Sequence, residues 1–156
     1  MSRSIRVTEY FAFLLVLAFP AAAAVTVAFP SSTYSDIGEP GRDADEVKNE
    51  LARYLHALDA RYLSPQDNLW IDVVDVDLAG NREFIRGREI RVERGNSDFP
   101  RITLRYKLER GGRTTAGEDT VSDSSYLWFP ARIRPTGSLP YEKRMLEDWF
   151  RERFAR

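Results

Sequence analysis

Apolar and polar positions alternate with two different periods along the chain, and the places where the period changes mark the elements. Val25, Val27 and Phe29 alternate with Thr26 and Ala28 and predict a short strand ended by Pro30. Ser31 to Arg42 collects Gly38, Pro40 and Gly41 among Ser, Thr and Asp, which predicts a loop. Asp43, with Glu46 three residues later, has the spacing of a capping box. From there Val47, Leu51, Tyr54, Leu55, Leu58 and Tyr62 stack on one face of a helix expected to reach Leu63, where Ser64-Pro65 stops it.

The stretch from Leu69 to Leu78 breaks its own rule. Leu69, Ile71 and Val73 share one parity, whereas Val74, Val76 and Leu78 share the other. A regular strand cannot bury both sets on one side. A bulge at Val73-Val74 repairs the pattern and throws Asp72, Asp75 and Asp77 onto the opposite face. Ala79-Gly80-Asn81 is expected to end this run, and Ile90 and Val92 mark a short strand among arginines. Ile102, Leu104, Tyr106 and Leu108 then alternate with charged residues. Gly111-Gly112 permits a two-residue hairpin turn, and Arg113 to Val121 returns as a polar edge strand with a bulge expected at Gly117. Ser122 to Pro140 predicts a loop carrying Tyr126, Trp128 and Phe129. Pro140 opens a last helix whose apolar face holds Tyr141, Met145, Leu146, Trp149, Phe150 and Phe154, with Glu142, Lys143, Arg144, Glu147 and Asp148 on the remainder. The sum is an α+β fold, a mainly antiparallel sheet with two helices packed on one face.

The chain begins differently. Arg3 and Arg6 precede an uncharged run from Tyr10 to Phe19, then Pro20 and four alanines, Ala21 to Ala24. That order is the signal-peptide pattern, with the cut expected after Ala24 and Ala23 as the next choice. It divides the chain into a leader, 1–24, and one α+β domain, 25–156. The rival is an uncut anchor, since the uncharged run to Phe29 approaches the roughly 20 residues that span a bilayer. Pro20 within it and the strand pattern after it favour cleavage, which leaves no membrane span and places the domain in the periplasm or outside the cell.

Composition narrows the chemistry. The 156 residues hold 23 Lys+Arg and 24 Asp+Glu, one His and no Cys, for a net charge of −1. No Cys removes disulfides, thiolate metal sites and lipid attachment at the cut. Near-neutrality argues against a nucleic-acid coat. His56 is the sole imidazole and no G-x-S-x-G elbow accompanies it, so it reads as a surface residue. No phosphate-binding glycine loop is present, and no cofactor or metal is called for. Asp72, Asp75 and Asp77 on one strand face need neutralising, by the arginines between Arg82 and Arg94 or by a hard cation such as Ca²⁺. Arg101, Arg105 and Lys107 project together, with Arg110 and Arg113 at the turn, and either form a solvated edge that blocks sheet aggregation or attract an anionic envelope polymer or lipid head groups. Tyr126 and Trp128 either plug the sheet end or form a partner-binding patch. These residues predict a non-catalytic domain that binds an envelope protein or an anionic polymer. The alternative is a metal-assisted hydrolase using Asp72, Asp75 and Asp77.

Three segments, LDARYLSPQDNLWIDVVDVDLAG, FPRITLRYKLERGGRTTAGEDTVSDSSYL and YEKRMLEDWFRERF, resemble a proteobacterial family of small secreted proteins, one of the domain-of-unknown-function families. The resemblance runs from Val25 to Phe154. It implies a bacterial secreted domain and carries no catalytic residue, cofactor or partner with it.

Overall fold

A computed structural model describes residues 24–37, 42–95, 97–128 and 137–155. The leader expected at 1–24 lies outside them except for its last residue, and so does Phe129. The elements run β1 (Ala24–Ala28), α1 (Arg42–Ala57), α2 (Asp59–Tyr62), β2 (Asn68–Asp77), β3 (Asn81–Ile85), β4 (Arg88–Val92), β5 (Arg101–Arg110), β6 (Arg113–Ser122) and α3 (Pro140–Phe154). Four strands form one sheet in the order β1-β2-β5-β6, and β3-β4 stands as a separate two-stranded sheet. The fold is α+β. Its main sheet is antiparallel except at β1, which pairs parallel to β2 across the α1 crossover.

The bulge predicted from parity is present. Val73 pairs with Leu104 and Asp75 with the next β5 residue, Thr103, so Val74 is extra. Leu69, Ile71, Val73 and Val76 therefore all point inward, where they meet Ile102, Leu104, Tyr106 and Leu108 of β5. Leu51, Leu55 and Leu58 close the core above β1 and β2, and Met145, Leu146, Trp149, Phe150 and Phe154 of α3 close the rest. Rings mesh edge to face here: Tyr106 lies 5.3 Å from Phe154, and Phe150 lies 5.0 Å from Phe154.

Four details of the backbone differ from the sequence reading. The first helix stops at Ala57, where the chain tightens through a Leu58 N–H to Leu55 carbonyl bond before the one-turn α2. Asp43 lies inside the first turn of α1 rather than ahead of it, where its charge suits the helix dipole. Gly117 is in regular register opposite Tyr106, not in a bulge. Glycine stands there because the Tyr106 ring lies across it, and a Cβ would sit 2.6 Å from the Tyr106 hydroxyl. Asn81 does not end a run; it starts β3, which turns through Arg86-Gly87, both at positive φ, into β4. The Gly111-Gly112 turn has the same two positive φ values, as expected.

Buried polar groups tie the layers. Asp67 accepts from Arg110 Nε at 3.0 Å, and Arg110 also reaches the Phe154 carbonyl at 2.9 Å, so this arginine staples β5 to the end of α3 rather than decorating the turn. Glu147 accepts from the Tyr54 and Tyr62 hydroxyls at 2.7 and 2.8 Å and pairs with Arg61. Glu142, expected on the exposed side of α3, is buried and accepts the Ala79 N–H at 2.8 Å. The outer edge is held where the Ala24 N–H donates to the Asp67 carbonyl at 3.2 Å. No helix among the described residues is long and apolar enough to cross a membrane.

Candidate functional site

The helices cover one face of the main sheet and leave the other open. Because strand side chains alternate, the open face is composed of the residues between the core positions: Trp70, Asp72, Asp75 and Asp77 of β2, Arg101, Thr103, Arg105 and Lys107 of β5, and Ala116, Glu118 and Thr120 of β6. Register sets the neighbours. Trp70 is opposite Lys107, Asp72 opposite Arg105, and Asp77 opposite Arg101. Five of the sequence-derived candidates, Asp72, Asp75, Asp77, Arg101 and Arg105, thus share one surface.

The three aspartates have different neighbours. Asp75 accepts from the Ser35 N–H at 2.8 Å and the Ser35 hydroxyl at 2.6 Å, which fastens the loop after β1 to the bulge. Asp77 lies 3.7 Å from Arg101, and partial burial together with the Asp36 and Asp75 carboxylates pushes its pKa above the ordinary value. Asp72 enters no hydrogen bond or ion pair among the described residues, because its cross-strand neighbour Arg105 turns the other way, donating to Glu118 from Nε at 3.2 Å and from Nη2 at 2.9 Å. The arginines of the 82–94 segment form no ion pair with Asp72, Asp75 or Asp77 among the described residues. Arg91 reaches Asp36 at 2.6 Å, Arg82 pairs with Glu89 and Arg94 with Glu83. Among the described residues no three His, Cys, Asp or Glu side chains gather in a way that would hold a metal ion.

A groove of about 430 Å³ crosses this surface, lined by Trp70, Asp72, Arg105, Lys107, Ala116 and Glu118 with the backbone edge of Tyr106 and Gly117. Trp70 is 37 % exposed, and Lys107 Nζ sits 4.7 Å from its ring centroid while also pairing with Glu109 at 2.7 Å. Trp70 is the residue the sequence reading passed over. The signal was there: it shares the parity of Asp72, so any strand that buries Leu69 and Ile71 must expose it.

The two aromatic candidates separate. Tyr126 is fully buried, donates to Asp98 at 3.0 Å and meets Tyr141 edge to face at 4.8 Å. Burial and the Asp98 carboxylate push its hydroxyl up to about 12. Burial works against the charge on Asp98, yet the Arg94 N–H, the Tyr126 hydroxyl and the Gly95 N–H together hold its carboxyl below the ordinary value. This is a packing unit. Trp128 is 83 % exposed and does not line the groove. His56 is exposed on α1.

These features define an α+β domain with one sheet face packed and the other open, its open face combining an aromatic ring with paired charges. The chain belongs to the family described as Protein of unknown function (DUF3016), whose model matches residues 23–152. No curated protein and no solved structure matches it.

Proposed function

We propose that this is an exported, non-catalytic domain of the bacterial envelope, and that it binds a sugar chain of the envelope on the open sheet face. The observation that carries the reading is the groove around Trp70. A half-exposed indole offers an apolar plane, while the unpartnered Asp72 and the neighbouring Arg105 offer an acceptor and donors for hydroxyl groups. Arg101, Arg105 and Lys107 each pair with a carboxylate, and Asp72 and Asp75 add two more, so the face has no surplus of cations and suits a hydroxyl-rich polymer better than a strongly anionic one. A pyranose stacking on Trp70 displaces Lys107, whose exposed pair with Glu109 is worth well under about 1 kcal/mol. The basic start, apolar run and small residues of the leader support export.

The test is co-sedimentation of the purified exported protein with peptidoglycan sacculi and, separately, with lipopolysaccharide. Wild type is expected in the sacculus pellet, and Trp70→Ala is expected to reduce that fraction about tenfold or more with an unchanged melting temperature. Equal pelleting of wild type and Trp70→Ala, or turnover of the polymer by the protein, overturns the reading. The mass of the protein recovered from the periplasm tests export, which predicts loss of the leader.

A further inference from the structure

The β3-β4 hairpin projects from the body with an apolar tip and unpaired cations, and we infer that it inserts into the surface of an anionic lipid bilayer. The hairpin is an independent two-stranded sheet that makes no extended packing contact with any other element. Its foot is fixed instead: Arg91 donates to the Asp36 carboxylate and to the Gly80 carbonyl, both at 2.6 Å, and Tyr141 donates to Glu93 at 3.1 Å. Phe84 is 78 % exposed, Ile85 42 % and Ile90 44 %, and all three stand on the projecting part. An isolated exposed leucine on a surface is ordinary, but three large apolar side chains on one thin ribbon lack any protein to cover them.

Charge selects the occupant. Asn81 to Arg94 holds five Arg and three Glu, a local charge of +2 on a chain whose total is −1. Arg82 and Arg94 are paired with Glu89 and Glu83, whereas Arg86 and Arg88, at the tip, are exposed and enter no ion pair among the described residues. Arg86 also occupies the left-handed region, with φ of 53°, at the outermost point of the turn. A residue with a Cβ is costly there, and glycine or asparagine is the usual choice. Apolar rings and alkyl groups beside free guanidiniums match acyl chains beside phosphate headgroups. A second protein would have to bring an apolar and acidic pocket that grips both faces of the ribbon, since Phe84 and Ile85 point to opposite sides.

This inference does not depend on the sheet face. The test is flotation of the purified exported protein with vesicles of phosphatidylethanolamine and phosphatidylglycerol in equal parts, against vesicles of phosphatidylcholine alone. Wild type is expected to float with the anionic vesicles at least about tenfold more than with the neutral ones. The double variant Arg86→Glu/Arg88→Glu and the single variant Phe84→Ser are each expected to lose most of that binding, with melting temperatures unchanged. Trp70→Ala is expected to float like wild type. In Phe84→Trp the emission at the new indole is expected to shift to the blue on adding anionic vesicles. No binding by wild type, equal binding to both vesicle types, or full binding by the double variant overturns the proposal. Failure of the sacculus experiment with Trp70→Ala leaves it standing, and its own failure leaves the sheet-face reading standing.

Discussion

In the four-stranded sheet, Leu69, Ile71, Val73 and Val76 of β2 and Ile102 and Leu104 of β5 are shut away from water, and each faces another strand and a helix. In the β3-β4 hairpin, joined to the end of β2 by three residues, no side chain is buried. Both contain antiparallel ladders, so backbone hydrogen bonding does not distinguish them. The difference is cover. The large sheet receives α1 and α3 on one side, and burial fixes its register because a one-residue slip turns its apolar set to solvent. The hairpin is held by its turn and by polar bonds at its foot, and its apolar residues remain available to something outside the chain.

That contrast breaks hardest at the level of register. Deleting Thr103 from β5, which has no bulge and is paired on both sides, is expected to turn either Ile102 or the Leu104-Tyr106-Leu108 set outward and to abolish cooperative unfolding in a thermal melt. Deleting Val74 removes only the extra residue, leaving Val73 followed by Asp75 in the pairing they already have. The variant is expected to fold with the same faces and to melt cooperatively. Next come the aromatic pair. Phe150→Ala is expected to destabilise by about 3–5 kcal/mol in urea unfolding, and Phe84→Ala by no more than about 0.5 kcal/mol. Equal losses would mean the hairpin is packed after all.

The smallest effects are in acid. Burial opposes the charge on Glu147, but Tyr54, Tyr62 and Arg61 more than offset it and hold its carboxyl below the ordinary value. A depressed folded-state pKa gives stability that is present above the unfolded pKa, near about 4, and is lost as pH falls through the folded one. Glu147→Gln is therefore expected to lower the melting temperature at neutral pH, with the difference from wild type closing in acid. Glu142 has the opposite sign, since burial raises its pKa and its charged form opposes folding. Glu142→Gln, which keeps the acceptor for the Ala79 N–H, is expected to raise the melting temperature at neutral pH, and that gain fades as pH falls through the folded pKa.

The parity inversion at Val73-Val74 made the most informative element of the fold legible, because one apolar face and a period of two leave a bulge as the simple solution. The helices were legible for the same reason, up to the break at Leu58, which only the hydrogen bond to Leu55 reveals. Half of the hairpin was hidden. Ile90 and Val92 marked β4, but Phe84 and Ile85 are adjacent and of opposite parity, so β3 carries no alternation, and its only local sign was a glycine after Arg86. Tyr126 was hidden differently: its partner Asp98 is 28 residues away, on a segment with no periodicity at all. Of the candidate surface, the charged half could be read from the strands and the aromatic half was present but unweighted.

The rung between Ala24 and Asp67 bears on maturation. A peptidase cutting after Ala24 trims away that rung and leaves Val25, a core residue, as the new terminus of an edge strand. Cutting one residue earlier keeps the rung and turns its donor into an ammonium group. On the proposed export, a mature chain that begins at Ala24 keeps this rung and one that begins at Val25 loses it, so the shorter terminus is expected to fray from the sheet margin sooner in hydrogen exchange than the longer one.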